Sequence, residues 1–409
     1  MSKVFSNDIT VAIDIGTTKI CVLIARNNGS AIHILGIGKA PSDGLKKGVV
    51  VDVAKTVASI KEAIREAEFV SKRKIESAVV GISGSHIQSF NSTGVVPIKR
   101  GEIKKSDITN VLDSAKAMVI PEGQQILHVL PQYYQIDGGE PIQNPEGMHG
   151  IRLEAKVHII TGSVASVQNI IHCCKLAGIK ASDIVLEQLA SADAVLSQDE
   201  IKLGVAVLDI GGGTSDLAVY QNGSIRYTKV FPVAGNHFTN DLAIGLKTTI
   251  NGAEELKQKQ GLAYKKLLLD NEQLEAPAIQ GGAMQKIDKA LMVTILQSRA
   301  YELLSLVYKE IIDNHLQNTI TTGLVITGGG ALLKGAKELA ADIFGVPVRI
   351  GMPKTNSVLP ESLENPIYAT GYGLLVHKMK KPSCGIQQIE GPIAIKIFFR
   401  MKSWMSDFF

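Results

Sequence analysis

Cysteine is scarce in this chain of 409 residues, which contains only Cys21, Cys173, Cys174 and Cys384. Their spacing matches neither a disulfide framework nor a set of metal ligands, so we interpret them as reduced thiols of a cytoplasmic protein. Aromatic residues make up 5% of the chain and do not alternate with basic runs. The net charge is only +4, so nothing here favours nucleic-acid binding through bulk charge.

Long apolar segments are also missing. The first ten residues, MSKVFSNDIT, contain no apolar region of the kind that a signal peptide has, and we expect none. No uncharged run reaches the ~20 residues that a membrane-spanning helix needs. The hydrophobic content of 45% nevertheless supports large cores, and a chain of this length is enough for about two to four domains.

What the sequence does contain is a repeated pattern. AIDIGTTKICVLIA (12–25) and VLDIGGGTSDLAVY (207–220) both place Asp-Ile-Gly at the end of an apolar run, before a glycine and hydroxyl turn and a second apolar run. Each copy then reaches an Asn-Gly turn and a third run. Asn-Gly between apolar runs predicts a hairpin, because both central residues of a type I′ turn need positive φ. We therefore predict a three-stranded meander that occurs twice.

The rest of the chain alternates helical and strand patterns, which indicates an α/β fold. An amphipathic helix is predicted in VDVAKTVASIKEAIREAEFVSK, and IESAVVGIS reads as a buried strand. Residues 84–162 interrupt this rhythm and predict an inserted βαββ unit, with strands at 87–98, 126–136 and 153–160 and a helix at 105–118. Later helices are predicted near 238–246, 253–260 and 286–315, and LVITGGGALLKGAKELAADIFG predicts a strand, a glycine turn and a helix.

The two Asp-Ile-Gly turns have the chemistry of a phosphate site. Glycines let backbone N–H groups approach phosphate oxygens closely, and Thr17, Thr18, Thr214 and Ser215 add hydroxyl donors. Asp14 and Asp209, at the ends of buried strands, are suited to hold a hydrated Mg²⁺. For one turn alone, an aspartate that caps the turn is the alternative. Two copies, together with TGGG before a helix, favour a nucleotide clamp.

The two hairpins and TGGG (327–330) together resemble the actin and DnaK-type ATPase superfamily, over about Ile9 to Lys378. This resemblance implies an actin-like fold of two lobes with ATP and Mg²⁺ between them. The ATP-binding residues that it implies are Asp14, Gly16, Thr17, Thr18, Lys19, Asp209, Gly211, Gly212, Gly213, Thr214, Ser215, Gly235, Glu254, Lys257, Gly328, Gly329 and Gly330, with Asp14 and Asp209 holding Mg²⁺ through water.

Two of the implied sites have alternatives. AEELK resembles the superfamily's adenine-side helix, which would place Glu254 and Lys257 at the base and ribose; a solvated charged helix face is the alternative. EQLASADA resembles the segment whose glutamate orients the attacking water, which implies Glu187 as a catalytic residue. Gln188 stands where many relatives have proline.

The position of the extra residues narrows the resemblance. The gap PSDGLKKGVVV is too short for the subdomain that actin and the chaperones carry there, and the extra residues lie at 84–162 instead. This displaced insertion resembles the FtsA family of actin-like bacterial division proteins. A PilM-like pilus-assembly scaffold shares the insertion but not the C-terminal GPIAIKIFFRMKSWMSDFF. A small-molecule kinase of the same superfamily is a further alternative, although no sugar-kinase signature is present, and a chaperone would need a peptide-binding domain.

Membership of that family would imply a peripheral protein at the division septum, on the cytoplasmic face of the inner membrane. It would form filaments and anchor FtsZ by binding the C-terminal tail of FtsZ. It would also recruit later division proteins and hydrolyse ATP slowly or not at all. Arg299 and Glu302 in LQSRAYELL resemble the family's FtsZ-docking pair, with a solvated i,i+3 pair as the alternative.

The resemblance also divides the chain. We expect a first-lobe core at 1–83 and 163–200, an inserted subdomain at 84–162, and a second-lobe core at 201–234 and 306–379, whose end returns to the first lobe. The remaining expected parts are an outer subdomain at 235–305, a linker at 380–392 and a membrane-targeting helix at 393–409.

The C-terminal segment is amphipathic when it is placed on a helix at about 100° per residue. Its apolar arc contains Ile393, Ile397, Phe398, Met401, Trp404, Met405 and Phe408, and its polar arc contains the cations Lys396, Arg400 and Lys402. A core helix could show such a stripe. Because this one follows a linker, the pattern favours a helix that lies in the membrane interface against anionic headgroups.

Overall fold

The structure is a computed structural model. It describes residues 9–27, 32–99, 101–117, 120–270, 272–279, 282–354 and 360–380. Residues 381–392 of the predicted linker and the predicted membrane helix, 393–409, lie outside the described residues, as does the first Asn-Gly turn.

The first meander forms as predicted. Strands β1 (Ile9–Ile15), β2 (Lys19–Asn27) and β3 (Ile32–Pro41) pair antiparallel in sequence order. A short hairpin of β4 (Leu45–Lys46) and β5 (Val49–Val50) leads to helix α1 (Val53–Ser71). Asp52 caps α1 by accepting the backbone N–H of Lys55 at 3.0 Å, which satisfies one of the free donors of the first turn.

The chain then enters the sheet again and leaves it for the insertion. Strand β6 (Ser77–Ile82) lies parallel to β1. The insertion contains β7 (Gln88–Pro97), α2 (Lys105–Lys116), β8 (Gln124–Ile136) and β9 (Arg152–Ser163). Its antiparallel sheet has the order β7-β9-β8 and its own buried cluster, which includes Leu153, Val157 and Ile159. The predicted βαββ order is confirmed.

Three helices and one strand complete the first lobe. These are α3 (Val164–Leu176), β10 (Lys180–Leu186), α4 (Glu187–Val195) and α5 (Gln198–Leu203). β10 lies parallel to β6, so the five-stranded sheet has the order β10-β6-β1-β2-β3. α1 and α3 bury apolar residues in one cluster on one face of this sheet, and α4 belongs to the cluster on the other face.

The second meander repeats the first. Strands β11 (Val205–Ile210), β12 (Ser215–Gln221) and β13 (Ser224–Phe231) pair antiparallel. The turn between β12 and β13 has φ of 54° at Asn222 and 77° at Gly223, as a type I′ turn requires. Helices α6 (Gly235–Gly245) and α7 (Ile250–Gln260) follow near the predicted places, and each begins three residues earlier than predicted.

The next prediction was wrong in one respect. Helix α8 (Lys289–Asp313) begins three residues later than expected, because β15 (Met284–Asp288) pairs with β14 (Gln273–Pro277) in a hairpin that we did not predict. Asp288 ends the hairpin and accepts the N–H of Ala290 at 2.8 Å.

The last segment closes the second sheet. It contains β16 (Leu324–Thr327), α9 (Ala336–Phe344), β17 (Val348–Ile350) and α10 (Ala369–Lys380). The sheet order β13-β12-β11-β16-β17 repeats the arrangement of the first sheet, so the duplication covers five strands rather than three. α10 returns to the first lobe, where it contacts β1, β2 and β6 and packs on α4.

Helix α8 is the one described helix with the length and mean hydropathy of a membrane span. Its buried residues, among them Leu296, Leu303 and Val307, belong to the core of the second lobe. We therefore interpret α8 as a core helix.

Candidate functional site

The two Asp-Ile-Gly segments fold into the same turn. After β1, the N–H of Gly16 donates to the carbonyl of Lys19 at 3.1 Å, and after β11 the N–H of Gly211 donates to the carbonyl of Thr214 at 2.9 Å. Each turn directly follows a buried strand that ends in aspartate and isoleucine. The sequence repeat is thus a repeat of backbone geometry.

The two turns touch each other across the cleft between the lobes. A Cβ atom added to Gly212 would lie 2.3 Å from Thr18 Cγ2, and one added to Gly213 would lie 2.4 Å from Thr17 Oγ1. Only residues without a side chain allow this approach. The hydroxyl groups of one lobe are therefore held directly against the glycine backbone of the other.

A cavity of about 640 Å³ lies at this junction, within the range of small-molecule sites. Sixteen of the seventeen residues implied as ATP-binding line it, and Glu187 lines it too. Ser215 is the exception. Its side chain is fully buried, and its hydroxyl donates to the carbonyl of Val233 at 2.7 Å because Ser215 is already the first residue of β12.

Besides Glu254, four acidic side chains line the cavity: Asp14, Glu187, Asp209 and Asp216. Asp209 Oδ2 accepts from the hydroxyls of Ser191 and Thr370, the latter at 3.0 Å. Asp216 accepts from Ser83 Oγ at 2.6 Å and from Thr214 Oγ1 at 3.1 Å. Both lobes and the connecting helices α4 and α10 thus orient these carboxylates.

Burial makes ionisation of these groups costly. It raises the pKa of Asp14 to about 6, with Lys19 opposing the shift and Asp209 adding to it. It also raises the pKa of Asp216 to about 7 and that of Asp209 above its usual range, although hydroxyl donors oppose both shifts. The pKa of Glu187 lies well above its usual range because of burial and the three neighbouring aspartates.

Asp216 was missing from our prediction. Its signal was present in the sequence, since GGGTSD places a second carboxylate seven residues after the first, and the hairpin register pairs Asp209 with Asp216. In the first copy the same register pairs Asp14 with Cys21. Ser191 and Thr370 also reach the site, and they had no local signal because tertiary packing of α4 and α10 brings them there.

Helices α6 and α7 contribute a further part of the cavity lining. Lys257 Nζ donates to the carbonyl of Gly235 at 3.1 Å and to Glu254 at 2.7 Å, and its side chain is only 16% exposed. Although burial opposes it, the bonds from Lys257 and Thr239 lower the pKa of Glu254. The pair is therefore held in place at the cavity wall, and a freely solvated helix face does not describe it.

The predicted glycine turn differs in detail from expectation. Gly328, at φ 81°, begins a 3₁₀ turn over Gly329–Leu332, and α9 starts only at Ala336. The turn rather than the α-helix N-terminus faces the cavity. A Cβ at Gly328 would come within 2.2 Å of Asp209 Oδ1, so this glycine makes room for the carboxylate.

Lys19 connects the first turn to the end of the second lobe. Its Nζ donates to the carbonyl of Ile367 at 2.6 Å and lies 4.7 Å from the ring centroid of Tyr368. Among the described residues, no group of three or more His, Cys, Asp or Glu side chains has the arrangement of a direct metal site.

The predicted partner pair lies away from the cavity, on α8. Arg299 donates through Nε and Nη2 to both carboxylate oxygens of Asp241 on α6 and through Nη1 to Glu302. Asp241 was not part of the prediction. Arg299 is thus part of the contact between α6 and α8 as well as of a surface pair.

Comparison with known proteins gives consistent matches. The family model "Cell division protein FtsA" matches residues 206–373, and the model "SHS2 domain inserted in FTSA" matches residues 84–161. The chain is 43% identical to the cell division protein FtsA of Pseudomonas aeruginosa over 387 residues, which is 94% of this chain and 93% of that protein. It is 34% identical to the FtsA of Escherichia coli K12, over 99% of both chains.

Solved structures with the same fold are more distant in sequence. The chain resembles a structure of the PilM-PilN type IV pilus biogenesis complex with a TM-score of 0.66 and 16% identity, covering 91% of this chain and 99% of that one. It resembles MreB5 of Spiroplasma citri bound to ADP with a TM-score of 0.58 and 16% identity, covering 91% and 97%. These likenesses confirm the actin-like ATPase fold.

Proposed function

This chain belongs to the FtsA family of cell division proteins, and we propose that it acts in division as an actin-like protein that binds Mg²⁺ and ATP between its lobes. The nucleotide proposal rests on one observation: two turns of the same geometry meet at one cavity whose size suits a small molecule. Backbone N–H groups and threonine hydroxyls from both turns would then hold the phosphates from opposite sides.

The electrostatics of the cavity support a divalent cation. Four buried carboxyl groups with raised pKa values line the cavity. The cationic side chains that line it are those of Lys19 and Lys257. A hydrated Mg²⁺ between phosphate oxygens and these aspartates would compensate their charge. When bound, Mg²⁺ would supply neutralisation of the phosphate charge, and Asp14 and Asp209 would orient its water ligands.

The remaining lining residues would orient the nucleoside. We propose that Glu254 and Lys257 contact the base and ribose and that the turn at Gly328–Gly330 lies against the adenosine. Glu187 is at the phosphate end of the cavity, where an acceptor for a water proton would be needed. Burial and the three neighbouring aspartates raise its pKa and so favour its protonated form, and we expect weak hydrolysis.

Replacement of Asp209 tests the nucleotide site. We expect Asp209→Ala to lower the affinity for ATP at least about tenfold when Mg²⁺ is present, as for a lost charge-assisted contact of about 1.5–3 kcal/mol, and to change it little in EDTA. Titration of a fluorescent ATP analogue measures both values. Asp199→Ala, at an exposed position of α5, is the control. Equal affinities of Asp209→Ala and the wild type with Mg²⁺ would remove Asp209 from the site.

Three further functions are proposed from the family. The protein would form filaments at the cytoplasmic membrane of the division site, bind membrane through residues 393–409, and anchor FtsZ and later division proteins.

For FtsZ we propose a surface around Arg299 and Glu302. Because Asp241 already neutralises Arg299 in part, we expect Asp241→Asn to strengthen and Arg299→Gln to weaken binding of an acidic FtsZ-tail peptide, as measured by fluorescence anisotropy. Equal affinities of all three proteins would exclude this surface.

A further inference from the structure

The first lobe has an edge that faces away from the ATP cavity. The C-terminal ends of helices α1 and α3 lie at this edge. Helices α1 and α3 precede β6 and β10, which run parallel with Ser77 opposite Lys180. Both helices therefore end at the edge where these strands begin. The other end of β6 leads to Ser83, which bonds to Asp216 in the cavity. The length of the strand separates this edge from the nucleotide site.

This edge combines cations with exposed apolar side chains. We define the basal face as Phe69, Lys72, Arg73, Lys74, Lys175 and Leu176. Phe69 is 72% exposed and Leu176 is 48% exposed, and all four cations are exposed. Lys72 Nζ lies 4.1 Å from the ring centroid of Phe69. Large apolar side chains in such surroundings are typical of an interaction surface.

A shallow cavity of about 300 Å³ marks the α1 side of the basal face. The cavity is lined by the ring of Phe69, by the carboxylate of Glu68 and by four cations, which are Arg65, Lys72, Arg73 and Lys74. Glu68 is already engaged, because it accepts from Lys74 Nζ at 2.6 Å and from the N–H of Ile75 at 2.8 Å. Exposed Glu76 follows this segment, and Glu62 and Glu66 lie on earlier turns of α1. The surface beside the Phe69 ring is thus positively charged.

The chain after the described residues starts from the same end of the lobe. Gly371, in the first turn of α10, lies beside Asp14 at the cavity. Lys378, in its last turn, pairs with Asp183 at 3.9 Å, and Asp183 lies opposite Val79 in the middle of the paired strands β6 and β10. α10 therefore runs from the cavity toward the basal edge, on the opposite face of the sheet from α1 and α3. Residues 381–409, with the proposed membrane segment, continue from there.

We propose that the basal face is a second membrane contact, which places Phe69 and Leu176 at the headgroup level and its lysines and arginine against anionic lipid. The inference rests on the proposed membrane role of residues 393–409, which would bring this edge to the bilayer. Basic residues near an anionic leaflet and apolar rings at the interface are the chemistry that such a surface recognises. The C-terminal segment has three cations, Lys396, Arg400 and Lys402, against Asp407, so charge repulsion disfavours this segment as the occupant.

Neutralisation of the basal face separates its role from that of the C-terminal segment. The variant Lys72→Gln/Arg73→Gln/Lys175→Gln removes three cations without attracting the basic segment. Each cation near an anionic surface changes binding about fivefold, so we expect the apparent affinity for vesicles that contain phosphatidylglycerol to fall more than about tenfold. Affinity for phosphatidylcholine vesicles should not change. Co-sedimentation of the full chain with Mg²⁺ and ATP measures both, and unchanged ATP binding shows that the variant is folded.

The control Lys286→Gln/Lys309→Gln/Lys337→Gln removes three exposed cations from the second lobe. It should bind both vesicles like the wild type. Wild-type binding by the basal variant, or an equal loss in the control, would overturn the second contact. Trp404→Glu tests the C-terminal segment separately: binding that survives Trp404→Glu but is lost in the basal variant would refute the anchor and leave the basal face.

Discussion

At the residue scale, the site depends on aspartates that are paired by strand register. Asp209 and Asp216 lie opposite each other in the β11–β12 hairpin, and both are buried at the cavity wall. The folded protein thus keeps acidic groups away from water, which favours their protonated forms until a cation arrives. This arrangement connects the stability of the protein to pH and to its ligand.

We expect the stability of the nucleotide-free protein to fall as the pH rises from about 4 to 7. The unfolded chain releases these protons near pH 3.8, whereas folded Asp14 and Asp216 hold them to about 6 and 7. The folded state therefore binds more protons in this window, and its free energy of unfolding decreases with pH. Between pH 5 and 8, the free energy of unfolding of Asp216→Asn should therefore decrease less than that of the wild type, by about 1 kcal/mol or more.

Urea unfolding at the two pH values measures this difference, with Asp199→Asn as the exposed control. The same pH dependence in Asp216→Asn and the wild type would show that Asp216 titrates normally in the folded protein.

The contact between the two turns gives a second prediction. Gly212→Ala would place a methyl group against Thr18, and overpacking of this kind costs about 1–3 kcal/mol. We expect about a tenfold loss of ATP affinity, because the turns would be pushed apart. Thr18→Ala removes the two atoms nearest to that methyl group. The double variant should therefore bind ATP more tightly than expected from multiplying the losses of affinity of the two single variants. Additive losses in isothermal titration would contradict the proposed contact.

Sequence pattern identified most of this site, and the misses have physical reasons. The Asp-Ile-Gly turns are local features, so their residues could be read directly. Ser215 was predicted as a hydroxyl donor of the second phosphate turn, yet alternation along β12 turns its side chain away. Ser191 and Thr370 are brought together only by packing of α4 against α10, which no local pattern reports.

At the element scale, the insertion is connected to the second lobe as well as to the first. Gln132 in β8 donates to the carbonyl of Ile225 at 2.9 Å, and Ser89 in β7 donates to the carbonyl of Thr228 at 2.8 Å. His158 Nε2 lies 3.0 Å from Thr228 Oγ1, and burial lowers its pKa to about 4. The neutral imidazole therefore joins β9 to β13 in a buried polar contact. Removal of the whole insertion would uncover these partners, so point variants test its role more sharply.

We expect Gln132→Ala/His158→Ala to loosen the insertion without loss of ATP binding. The unpaired Ile225 carbonyl would cost about 1–3 kcal/mol, so hydrogen exchange in β8 and β13 should become faster, while ATP affinity stays within about twofold. If the insertion takes part in contacts between subunits of a filament, filament formation should weaken. Gln135→Ala, which breaks only the bond to Gly139 within the insertion, is the control. Loss of ATP binding in the folded double variant would contradict a separate role for the insertion.

Elements with strong periodicity were predictable, and their boundaries were less so. The helices, the meanders and the insertion follow the sequence pattern, because buried faces repeat at 3.6 or 2 residues. The start of α8 was wrong because Met284–Asp288 is short and its only buried side chain is that of Ile287. Cross-strand pairing with Gln273–Pro277, which local periodicity does not reveal, decides its structure.

At the scale of the whole molecule, duplication accounts for both the fold and the site. Two five-stranded sheets of the same order place their Asp-Ile-Gly turns face to face, with α4 and α10 between the sheets. Ligand binding at such a junction biases the relative position of the lobes, which is how nucleotide state would control assembly.

We expect membrane binding of the wild type to require Mg²⁺ and ATP, because many weak C-terminal segments in one filament gain avidity of about 10²–10⁴. Trp404→Glu places a charge in the predicted apolar arc and should leave the protein in the supernatant with anionic vesicles. Ser403→Glu, on the predicted polar arc, is the matched control and should still sediment. Sedimentation of Trp404→Glu at the wild-type level with anionic vesicles, Mg²⁺ and ATP would contradict this anchor.

The most direct test is a crystal structure of the full chain with Mg²⁺ and a non-hydrolysable ATP analogue. We predict the triphosphate between Gly16–Lys19 and Gly211–Thr214, the metal with its water ligands at Asp14 and Asp209, and the adenosine between Glu254, Lys257 and Gly328–Gly330. A nucleotide bound elsewhere, or phosphates that contact only one of the two turns, would contradict it.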